Sequence, residues 1–172
     1  DPEEWWEACV DTIRRSVAEG GIRPEEIKGI GFSGQMHGLV VLDENGRSIR
    51  PAILHCDARS GEQVERIKAV FGIENIRRLI MNPVYTGFLL PSLLWIRDNE
   101  PSNYEKIRHV FLPKDYLKYK LTGRITTDYS DASATLAFDM KNMCWSEEIL
   151  HKLDVPMEWF PPCYETGEAV GN

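Results

Sequence analysis

Apolar residues recur three and four apart from the start of the chain. Trp6, Cys9, Ile13 and Val17, with charges between them, predict an amphipathic helix over 3–19, and Gly20-Gly21 ends it. The pattern then shortens. Residues 27–33 and 38–43 read as strands, Asn45-Gly46 is a two-residue hairpin signal, and residues 48–54 return as a third strand. Pro51 places that third strand at an edge or a bulge, because proline has no N–H to give a ladder. Helical patterns follow at about 58–70, 73–80 and 87–98, and IRHVFL (107–112) reads as a buried strand. Pro113 opens a further helix that Gly123 closes. Residues 125–139 are short turns and strands. Ser146 caps a last helix, with Glu147 and Glu148 in its first turn. Strands interleaved with helices predict an α/β domain.

Composition narrows what such a domain binds. The chain has 172 residues and a net charge of -7, which argues against nucleic acid and against an anionic membrane. No apolar run approaches the ~20 residues of a membrane-spanning helix, and no signal-peptide pattern opens the chain. Cys9, Cys56, Cys144 and Cys163 are scattered without metal-ligand spacing, so they read as reduced thiols in a cytoplasmic protein. Both ends read as cut from a longer chain: a helix begins at once, and TGEAVGN closes on no element.

Candidate chemistry concentrates in a few strings. GIGFSG (29–34) matches the dinucleotide fingerprint, but that motif needs a helix to begin at its third glycine, and a β-hairpin follows instead. A nicotinamide or flavin enzyme is therefore a weak alternative. The hairpin brings Met36 and His37 to the same end of the sheet as His55, which suits a polar ligand pocket better than a two-histidine metal site. Asp57 and Arg59 read as a helix cap with a local ion pair. TDYSDAS (127–133), containing Asp128 and Tyr129, reads as turn chemistry, and Trp95 as a core anchor on a helix.

The strings DPEEWW, GFSGQMHGLVVLDENGR, RPAILHCDAR, LLPSLLWIRDNEP, LPKDYLKYKLTG, TDYSDAS and PPCYETGE cover nearly the whole chain in order. Together they resemble the FGGY family of carbohydrate kinases, and within it the members that phosphorylate D-xylulose to D-xylulose 5-phosphate. The resemblance implies an actin-like/ribonuclease-H-like α/β domain, with a mixed sheet and flanking helices. Residues 1–172 would be part of the first, sugar-binding domain, with the second domain absent. It implies that Gln35, Met36, His37, His55, Asp57, Asp128 and Tyr129 line a small-molecule sugar site. It also implies Mg-ATP as the phosphoryl donor of the full-length enzyme, none of it bound by this chain alone, and it is compatible with a homodimer.

Departures from the family pattern bear on specificity. His55 stands where the family has tryptophan, Ser92 where its signature has lysine, and Leu89 where it has a small hydroxyl or proline. The Asp-Gly-Thr phosphate loop and the catalytic-base aspartate of a Gly-Asp segment are missing from this sequence, so it holds no catalytic residue and no metal ligand of its own. The chain alone is expected to be inactive. The alternatives are a kinase for another ketose or polyol, or a sugar-binding module without activity.

Overall fold

The computed structural model describes residues 1–171. Helix α1 (Pro2–Glu19) starts at Asp1, whose carboxylate accepts the Glu3 N–H at 2.9 Å, and Gly20 and Gly21 end it. Its Trp5 and Trp6 pack on a small core of Val40, Leu42, Phe111 and Tyr116. Strand β1 (Val40–Leu42) pairs antiparallel with β2 (His109–Phe111). Alternate side chains leave β1 on opposite faces, so Val41 joins Leu39, Ile53 and Val110 in the larger core. Burial on both faces explains why LVVL is an unbroken apolar run.

A hairpin turn forms at Asn45-Gly46, but with three loop residues rather than two: the Asp43 N–H donates to Arg47 O at 2.9 Å, and only Gly46 of the loop takes a positive φ. Asp43 O accepts from the Gly46 N–H at 3.1 Å, and Asp43 Oδ1 accepts the Asn45 and Arg47 N–H groups at 2.8 and 3.0 Å. The strand expected over 48–54 is reduced to single bridges at Ser48 and Ile53, with Pro51 between them. The expected strand over 27–33 is absent. Among the described residues none pairs with it in a ladder, and Ile30 is 57% exposed.

Helix α2 (Gly61–Asn75) starts later than the pattern suggests, because residues 57–59 form a turn and Ser60 takes the N-cap position. A kink at Gly72 (φ +68°) separates the two expected helical stretches, the second ending in a wide turn over Ile76–Ile80. Helix α3 (Leu89–Asn99) packs against α2, and α4 (Pro101–Tyr104) leads into β2. Helix α5 (Pro113–Thr122) runs from its proline to Gly123, which adopts φ +69°. Then come β3 (Thr127–Asp128), α6 (Tyr129–Ala132), β4 (Phe138–Asp139), β5 (Cys144–Trp145), α7 (Glu147–Lys152) and β6 (Cys163–Tyr164). Strands β3 and β6 pair in parallel and β4 and β5 antiparallel, so strand pairing is mixed but split into three two-stranded ladders. Among the described residues no helix is long and apolar enough to cross a membrane.

Candidate functional site

Between the unpaired 27–33 segment and β1, the chain passes over the N-terminus of α5. A Cβ added to Gly34 would come within 2.9 Å of Lys114 Cβ, and one on Gly38 within 3.0 Å of Pro113 Cγ. Two glycines thus let this passage lie directly on the helix start. Between them the Gly38 N–H donates to Met36 O at 2.8 Å, and His37 sits at φ +66°. That is a γ-turn of the rare positive-φ kind, strained for a residue with a Cβ. Such strain persists only where the surroundings enforce it. Here they do: the imidazole stacks on Phe88 at 4.0 Å and 22°, and Nδ1 is 3.2 Å from Ala134 O.

Gln35 and His55 meet across the hairpin, with His55 Nδ1 3.0 Å from Gln35 Oε1. The His55 backbone is braced from behind by Gly87 (φ +78°), where a Cβ would fall 2.0 Å from His55 O. Met36 is 49% exposed beside them. Among the described residues no three His, Cys, Asp or Glu side chains cluster as metal ligands.

The carboxylates are committed to cations. Asp57 accepts the Arg59 backbone N–H and pairs with its guanidinium at 2.8 Å, which holds the carboxyl below the usual aspartate range. Asp57 closes a turn ahead of α2 and does not cap the helix. Arg59 in turn lies over the Trp95 ring at 4.7 Å. Lys114 Nζ reaches Asp115, Asp128 and Asp131 at 3.0, 2.6 and 2.8 Å. Fully buried Asp115 also accepts from Lys118 Nζ at 3.0 Å and Thr127 Oγ1 at 2.7 Å. Burial disfavours the Lys114 charge, but the three carboxylates outweigh it and hold its pKa above the usual lysine value. Burial likewise disfavours ionised Asp128, but the Lys114 hydrogen bond prevails and its pKa lies below the ordinary value. The other Asp128 oxygen caps α6 through the Asp131 N–H. The Tyr129 ring tilts on Phe138 at 6.0 Å.

Gln35, His37 and His55 therefore share one end of the hairpin, while Asp57 and Asp128 reach it only through the turns they build. Sequence reasoning missed Phe88, Lys114 and the Ala134 carbonyl. Lys114 had a signal: a cation in the first turn of a helix opposes the helix dipole and calls for carboxylates nearby. Phe88 and Ala134 had none, since only tertiary contact brings them to His37. A cavity of about 860 Å³ lies elsewhere, against Trp145, Phe160, Glu147 and Glu158.

The FGGY family of carbohydrate kinases, N-terminal domain, matches across residues 1–172. The chain belongs to this family. The FGGY chain is 44% identical over its whole length to a xylulose kinase from Staphylococcus xylosus, of which it covers 35%. The crystal structure of a xyloylose kinase from Brucella ovis superposes with a TM-score of 0.93 at 38% identity, over 99% of this chain and 35% of that one. A xylulose kinase from Rhodospirillum rubrum gives 0.89 at 26%, over 99% and 36%. The FGGY chain thus spans about a third of the length of these relatives, and its fold is the actin-like fold of the family. The two departures in the family signature, Leu89 and Ser92, are both buried in α3, and Ser92 Oγ has no hydrogen-bond partner among the described residues.

Proposed function

We propose that residues 1–172 are the sugar-binding part of the first domain of a cytoplasmic, ATP-dependent kinase that converts D-xylulose to D-xylulose 5-phosphate. The observation that carries this reading is the polar end of the hairpin, where His37 is held in a strained turn beside the Gln35–His55 pair. Binding energy held in such a preformed site positions a sugar hydroxyl, and positioning is most of what a protein contributes to phosphoryl transfer. In this reading His37 and His55 hydrogen-bond the sugar, Gln35 orients His55, and Met36 supplies an apolar wall. Tyr129 faces the ligand from α6. Asp57 and Asp128 act through Arg59 and Lys114. The identities of the relatives support the xylulose assignment.

Mg-ATP is the donor in this reading, but the residues present do not fit it. Residues 29–34 open no helix that could hold pyrophosphate. Asp115, Asp128 and Asp131 are already neutralised by Lys114 and Lys118.

The test is ADP release by the full-length protein with Mg-ATP and a panel of ketoses and polyols. Fastest turnover on D-xylulose is expected, with His37→Ala lowering kcat/KM at least about tenfold, the loss of one good hydrogen bond. Activity on no sugar overturns the reading. His55 in the tryptophan position favours one second reading, a kinase for a related ketose or polyol, which preference for another sugar in the panel would establish.

A further inference from the structure

The contact between His37 and Ala134 has a consequence for which sugar atoms the site accepts. A backbone carbonyl only accepts, so the ring nitrogen facing it must carry the proton. We propose that the fold locks His37 with its proton on Nδ1, leaving a bare Nε2 lone pair for the ligand, and that Lys114 is the positioning residue that maintains this state. The inference rests on the sugar-site reading above, because it takes the Nε2 side as the ligand side.

Three observations support the lock. Nδ1 lies 3.2 Å from Ala134 O. The ring is stacked on Phe88 at 4.0 Å and nearly parallel, which fixes its plane, while the Ala134 carbonyl selects the flip that puts a nitrogen rather than a carbon against it. The turn at His37 fixes the Cα–Cβ direction through its positive φ.

The Ala134 carbonyl is itself placed by a chain of bonds. Ala134 N–H donates to Asp131 O at 3.1 Å, and Asn82 Nδ2 donates to Ser133 O at 2.9 Å. The Asp131 and Asp128 carboxylates are drawn to Lys114 Nζ, which is anchored on buried Asp115. Lys114 lies on the helix whose start packs against Gly34 and Gly38, on either side of His37. One ammonium group thus ties together the turn that carries the histidine's acceptor and the passage that carries the histidine.

The chemical consequence is selective. A neutral ring with a bare Nε2 accepts a hydrogen bond from a hydroxyl and repels a carbonyl oxygen. The site therefore reads a hydroxyl of the ketose, not its ketone, at this position. A sugar lacking that hydroxyl leaves Nε2 desolvated and unpaired, the arrangement that rejects analogues most strongly.

The test uses the full-length protein with isotope-labelled histidine at mildly alkaline pH, read by long-range proton–nitrogen correlation. His37 should show a neutral ring protonated on Nδ1, and D-xylulose should shift Nε2 more than Nδ1. Lys114→Met should blend the two tautomers and raise KM about tenfold with kcat within about twofold, as expected for a lost ground-state contact. Asp131→Asn, a milder change, keeps the test open where Lys114→Met does not fold, and should raise KM about threefold with the same blending. A ring protonated on Nε2 in the free protein overturns the proposal. So does a folded Lys114→Met protein with unchanged His37 signals and KM. If sugar leaves both His37 nitrogens unmoved while turnover persists, the sugar-site reading fails instead, and the selectivity argument falls with it.

Discussion

Residues 27–33 and 38–43 flank the same Gln-Met-His passage, and both read as strands. The second becomes one and the first does not. Val40 and Leu42 are wholly buried against Phe111 and Tyr116, and β1 has β2 as its ladder partner. Ile27 and Ile30 are exposed, and a groove of about 520 Å³ separates residues 28–32 from Lys114, Lys118 and Tyr164. Strand propensity describes a side chain's fit to a half-buried pleated surface, so a strand needs a partner as well as a sequence. The difference also decides which side of the passage is held: Gly38 and His37 adjoin the anchored strand while the other side is open.

The comparison can be broken most sharply by truncation. Leu42→Ala should cost this chain about 3 kcal/mol, since it opens a cavity in a closed core, whereas Ile30→Ala should stay within about 0.5 kcal/mol. Urea melts of both variants check this, and equal losses would mean that 27–33 is packed after all.

Glycine substitutions give the next largest contrast. A Cβ on Gly46, at φ +71°, would fall 2.0 Å from the Tyr119 hydroxyl, so Gly46→Ala should destabilise by about 2 kcal/mol. Gly31 meets nothing within 4 Å and lacks a positive φ, so Gly31→Ala should be neutral or stabilise by about 0.5 kcal/mol through the unfolded chain. Thermal melts distinguish the signs.

Amide exchange sharpens the comparison without mutation. The Leu39 and Ile53 amides, which donate to each other's carbonyls at 2.8 and 3.0 Å, should exchange slowly, and those of residues 28–33 fast.

The smallest effect is electrostatic. The Arg47 amide, then the Asn45 amide, holds the Asp43 carboxyl below its ordinary value, against a small opposing cost of burial. A depressed folded pKa contributes stability above the unfolded value and loses it as pH falls through the folded one. Hairpin amides should therefore open slightly faster below about pH 4, while residues 28–33, already open, stay unchanged.

A related contrast concerns thiols. Burial, then the nearby Asp115 and Asp128 charges, push Cys163 up to about 12, so it should resist alkylation at pH 8 where exposed Cys56 reacts.

Some of the site was legible because its chemistry is local. The Asn45-Gly46 turn, the Pro113 and Gly123 helix ends and the Ser146 cap depend on neighbours in sequence, and each formed at the residues that signal it. That His55 returns to the end carrying Met36 and His37 was also legible, because a hairpin turn sets which strand ends meet, but the contact it makes there, with Gln35, was not. The start of α2 was not, because Asp57 bonds Arg59 in a turn rather than capping a helix, and both groupings look alike in a string.

By itself the sequence determined the periodicities, the turns, the caps and the family, since these rest on residue type and spacing along the chain. Tertiary structure alone decided which apolar run found a strand partner. It alone brought Phe88 and Ala134 to His37 from 51 and 97 residues away, the differences of their positions from 37, and Lys114 to Gly34 beside it. The reason is physical. Helix and turn formation are settled by groups a few bonds apart, whereas burial, ladder pairing and the aim of an imidazole depend on which distant segments the folded core brings into contact.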